Sequence, residues 1–139
     1  MDRYQEIREA IEAADVALAH LKSAQRYLDS AGSWGVWDLL GGGFFSTLVK
    51  HDKMEEAQRQ LGLAKTAVKR LSRELRDVQQ AVDIPLETGD FIHFADLFFD
   101  GFLSDWLVQS RIREAERQVE DAIRQITAIR RDLQVMLTE

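Results

Sequence analysis

Apolar residues recur along this chain at alternating three- and four-residue steps over three long stretches. The first reads Tyr4, Ile7, Ile11, Ala14, Leu18, Leu21 and Leu28, with Gln25 as its one polar interruption. The second reads Met54, Ala57, Leu61, Ala64, Val68, Leu71, Leu75, Val78 and Val82. The third reads Val108, Ile112, Ala115, Val119, Ala122, Ile126, Ile129, Leu133 and Met136. This spacing holds one seam of each helix against a partner in a left-handed supercoil. Mixed charges between the seams, such as Arg70, Arg73, Glu74 and Arg76, predict a solvated face.

Stop and start signals divide the stretches. Gly32 follows Ala31 as a candidate C′ residue, and Pro85 closes the second stretch near Asp83. Asp90 and Ser104 are candidate N-caps. The reading predicts helices over 2–31, 47–83 and 105–138. The fold class is all-α: an antiparallel, up-down-up bundle of three long coiled-coil-like helices in a single domain, residues 1–139.

The connections look like copies of one another. At one constant offset and without a gap, Asp38-Leu39, Gly43-Phe44 and Ser46 fall on Asp96-Leu97, Gly101-Phe102 and Ser104. Further on, Glu56-Ala57 and Arg59-Gln60 fall on Glu114-Ala115 and Arg117-Gln118. The predicted unit is a short helix, a Gly turn, a Phe and a Ser cap leading into a long helix. Two such units would cap the two ends of the bundle, with Gly permitting the chain reversal.

These segments also hold ten of the twelve aromatic residues. Trp34, Trp37, Phe44 and Phe45 lie in the first, and Phe91, Phe94, Phe98, Phe99, Phe102 and Trp106 in the second. Aromatics bury much apolar area each and can plug the bundle ends. Left exposed, they would form an interaction patch, for which Trp34, Trp37, Phe44, Phe45, Phe98, Phe99 and Trp106 are the candidates.

Composition and charge narrow the partners. The net charge of −6 and pI near 5.1 argue against nucleic acid. Between Asp77 and Ser110 there are seven acidic residues and no Lys or Arg. Anionic lipid would repel that stretch; the first turn, 33–50, with Lys50, His51 and Lys53, is the better lipid contact. The polar start of the chain is no signal peptide, and no apolar run reaches the roughly 20 residues of a membrane span. The absence of Cys removes disulfides and thiolate chemistry and fits a reducing cytoplasm.

Candidate chemistry is sparse. Gly41-Gly42-Gly43 lacks the preceding strand and the Gly-Lys-Ser/Thr ending of a phosphate loop, so a tight chain reversal is the better account. His93, Asp96 and Asp100 share a helical face and offer one nitrogen and two carboxylates to a divalent cation. The alternative is a solvated acidic face. Asp38, Gly41, Gly42, Gly43, Ser46, His51, Asp96, Gly101 and Ser104 are assigned to turn structure, with His51 placed to buttress Asp38. The paired Glu-x-x-His helices of di-iron bundles are missing, and no cofactor is expected.

The run Trp37-Asp38-Leu39-Leu40-Gly41-Gly42-Gly43-Phe44-Phe45-Ser46, with Lys50-His51, resembles a turn of uncharacterised bacterial helical-bundle proteins. The likeness covers that turn alone and implies no activity. The sequence therefore points to a non-enzymatic helical protein that works by contact. The expected partner is itself, as a dimer, because Ala10, Ala13, Ala17 and Ala24 flank the first seam and let helices approach closely. Another protein is also open as a partner. The alternatives are cation or small-ligand binding through the acidic aromatic segment 86–110, and peripheral membrane contact through the turn 33–50.

Overall fold

The computed structural model describes the backbone of residues 3–39, 43–81, 91, 93 and 112–138, and side chains within 3–29, 55–80, 91, 93 and 113–138. Among these the chain is helical throughout. Helix α1 spans Arg3–Leu39, α2 spans Gly43–Ala81 and α3 spans Ile112–Thr138. At 1.5 Å per residue they are about 55, 58 and 40 Å long.

Among the described residues, most positions of each predicted seam lie on the buried stripe of its helix. Ile7, Ala14, Leu21 and Leu28 of α1 are fully buried, as are Ala57, Ala64, Leu71 and Val78 of α2 and Ala115, Val119 and Ile126 of α3. Tyr4, the first seam position of α1, is exposed. All the buried apolar residues form one core, which Phe91 joins from the stretch between α2 and α3. The buried positions of α2 and α3 share a register only in part: Leu71 and Val78 are buried, whereas Ile129 and Met136 at the matching offset are half-buried. At the offset that aligns the two turns, Ala57, Leu61, Ala64, Val68 and Leu75 fall on Ala115, Val119, Ala122, Ile126 and Leu133, and all ten are buried.

Two expectations are corrected. The first helix does not stop at Ala31. It runs through Gly32 and Gly35 to Leu39, and α2 starts at Gly43 rather than at residue 47. A glycine weakens a helix by about 1 kcal/mol relative to alanine but does not end it, and no proline blocks the run. The first aromatic segment is therefore not a separate short helix. It is divided between the last turns of α1 and the first turn of α2.

The second correction concerns direction. Going up α1, Glu12 meets Arg70 and His20 meets Gln60, so α2 runs antiparallel to α1. Asp15 meets Arg130 and Asp29 meets Glu116, so α3 is antiparallel to α1 as well. Hence α2 and α3 point the same way, and the order is up-down-down. The up-down-up order assumed short connections, but Ala81 and Ile112 lie at opposite ends of α1, roughly 45 Å apart by helical rise. The intervening stretch, 82–111, has ample chain for that return. Helix α1 packs against both α2 and α3, which among the described residues approach each other little, though all three share one core.

A carboxylate cluster between α1 and α2

The contacts across α1 and α2 identify the α1 face involved. Glu6, Glu9, Glu12 and His20 all reach α2. Helical spacing puts Ala10, Ala13, Ala17 and Ala24 on that face too, and all four are fully buried. The alanine stripe that suggested close approach between molecules is therefore used within one molecule. Small side chains let α1 and α2 come close, as at small-residue helix seams generally. Half-way along, His20 Nδ1 and Gln60 Oε1 hydrogen-bond across the seam at 3.0 Å.

At its N-terminal end the stripe begins with an acid. Glu6 stands one turn before Ala10 on the same face and is only 3% exposed. With Glu9, one turn on, and Glu74 of α2, it forms a group whose carboxylate oxygens, one from each, lie within 4.8 Å of one another. Glu9 and Glu74 are half-buried, so the group opens to solvent on their side. One Glu6 oxygen and one Glu74 oxygen are sealed from solvent and accept no hydrogen bond. The other interactions are at the rim, where Gln5 Nε2 donates to Glu9 Oε1 at 3.2 Å and Arg70 lies 3.9 Å from Glu12.

Burial pushes the Glu74 carboxyl above its ordinary range; the charges of Glu9 and Asp77, and then Glu6, push the same way, and Arg70 offsets part of this. A second acid pair lies across α1 and α3. Burial pushes the Glu116 carboxyl above its ordinary range; the charge of Asp29 and then hydrogen bonding with it push the same way, and Arg113 offsets part of this.

Of the three candidates for a cation site, only His93 lies among the described residues. His93 is helical and exposed, while Asp96 and Asp100 lie outside them. The side chains of Trp34, Trp37, Asp38, Phe44, Phe45, Ser46 and His51, and residues Gly41, Gly42, Phe98, Phe99, Gly101, Ser104 and Trp106, also lie outside them; Gly43 opens α2. The carboxylate cluster was missed because Glu74 is remote from Glu9 in the sequence and reads as part of a solvated face. One signal was present: an acid at position 6 in phase with the alanine stripe. Comparison with protein families, curated proteins and solved structures finds no match.

Proposed function

We propose that the chain is a non-catalytic helical interaction protein that associates with copies of itself, as a dimer, through the aromatic end of its α1–α2 hairpin. The observation that carries this reading is the position of the helix ends. With α1 ending at Leu39 and α2 beginning at Gly43, Trp34, Trp37, Phe44 and Phe45 belong to one end of the bundle. Large aromatics are favoured as anchors of protein interfaces. Most seam positions among the described residues are committed to the protein's own core. Among the described residues the exposed large apolar side chains, Tyr4, Val16, Leu63 and Val135, are scattered over all three helices. No helix among them is long and apolar enough to cross a membrane.

Sedimentation across a wide concentration range tests the reading. The expected result is a dimer that dissociates on dilution, and that Trp37→Ala with Phe44→Ala shifts to monomer while helical circular dichroism is kept. A wild-type monomer at all concentrations would overturn the proposal. A double variant that remains fully dimeric would remove the aromatic end from it.

A further inference from the structure

We propose that Glu6, Glu9 and Glu74 bind a hard divalent cation, of the magnesium, manganese or calcium class, that ties the N-terminal turns of α1 to the last turns of α2. The argument begins with the cost of the cluster. A carboxylate as buried as Glu6 needs a counter-charge or hydrogen bonds. Glu6 has an oxygen without either, facing a group that adds two more carboxylates. Arg70, whose charge offsets part of the repulsion at Glu74, is drawn to Glu12 at the rim.

The geometry suits a metal ion. Around one cation with oxygen bonds of about 2.1–2.5 Å, two ligand oxygens are separated by about 3 Å when adjacent and at most about 5 Å when opposite. The three carboxylates, each offering an oxygen within 4.8 Å of the others, fall inside that range. The donor set is all carboxylate, with no imidazole or thiolate in the group, which favours oxygen-seeking cations over zinc or copper. The half-exposed side formed by Glu9 and Glu74 provides an entry path and room for the water ligands such ions keep. Burial first, and then the charges of Glu9, Asp77 and Glu6, also raise the affinity of Glu74 for a proton. This inference does not depend on self-association.

The test is calorimetry and thermal melting of the full chain with magnesium, manganese and calcium chloride in turn, against sodium chloride at equal ionic strength. At least one cation is expected to bind one per chain and to raise the melting temperature. Glu6→Gln and Glu74→Gln should each weaken it at least tenfold, and Glu12→Gln should leave it unchanged. Glu9→Gln, on the half-exposed side, gives the same reading if the Glu6 variant fails to fold. No heat and no melting shift with any of the three cations would overturn the proposal. So would wild-type affinity in the Glu74 and Glu9 variants, since the ion would then sit elsewhere. Melting that responds to acid but not to cations would assign the cluster to proton sharing and would equally reject the site.

Discussion

Helix α1 is packed from two sides, and the two sides are built differently. Toward α2 it presents Ala10, Ala13, Ala17 and Ala24, all fully buried, with polar groups enclosed in the seam at Glu6 and His20. Toward α3 it presents Ile11 and Leu18, which lie one turn either side of Asp15, and the Asp15–Arg130 ion pair sits on the rim. Arg130 and Asp15 both remain substantially exposed, so their ion pair contributes about 0–1 kcal/mol. The α2 seam gains stability from the proximity that small residues permit, which also traps polar groups between the helices. The α3 side brings Ile11 and Leu18 of α1 into the seam and leaves the Arg130–Asp15 pair at its rim, while Glu116 is partly withdrawn from water beside Asp29.

The largest test of this contrast removes core volume from each partner of α1. Leu71→Ala in α2 is expected to cost about 3 kcal/mol, within the range for fully buried leucine. Leu133→Ala, in the last turns of α3, should cost nearer to about 2 kcal/mol because a helix end can relax into the space. Denaturant melts give both values. Amide exchange sharpens the comparison: the Leu133 variant should speed exchange mainly in α3, which packs on α1 with little help from α2. The Leu71 variant should speed it across α1 and α2 together. Equal, global effects from both would mean that the two seams are one cooperative unit.

The periodicity of the chain was enough to identify these seams, and the reason is local. A heptad pattern depends on neighbours three and four positions apart, so Leu61, Val68 and Leu75 could be assigned to a buried stripe without knowing their partner. Direction is not local in this sense. Nothing in residues 112–138 says whether α3 ascends or descends, and the assumption of a short connection chose wrongly. The α1 boundary failed for a different reason: Gly32 was read as a stop, whereas a glycine without a following proline is only a weak point. The carboxylate cluster was half legible. Glu6 and Glu9 are visible as neighbours on one helix, but Glu74 joins them only through the antiparallel register of α2.

A smaller effect tests the close approach itself. Ala17→Leu forces a branched side chain into the α1–α2 seam, and overpacking of this kind costs about 2 kcal/mol. Ala19, close by on the same helix, is exposed. Ala19→Leu therefore serves as the control and should be near neutral, since both changes alter helix propensity alike. Guanidinium melts of the pair measure the difference directly. If Ala17→Leu were as harmless as Ala19→Leu, the alanine stripe would not be setting the distance between the helices.

The smallest expected effect is one of pH, and it separates the seams by their acids. Glu74 on the α2 side and Glu116 on the α3 side both have carboxyls raised above 4.5 in the folded protein. The folded state therefore holds more protons than the unfolded chain between 4.5 and the raised values, and stability falls as pH rises through that window. Lowering the pH from neutral toward 4.5 should accordingly raise the melting temperature. Burial is the first cause of both shifts; Glu9, Asp77 and Glu6 add to it at Glu74, with Arg70 opposing, and Asp29 adds to it at Glu116, with Arg113 opposing. Glu74→Gln and Glu116→Gln should each flatten part of the pH dependence, and the double variant should flatten more than either. The Glu74 change should also diminish any stabilisation by divalent cations, whereas the Glu116 change should leave it intact. A melting temperature that drops steadily on acidification from neutral, unchanged by both substitutions, would show that neither acid pair governs how the bundle responds to protons.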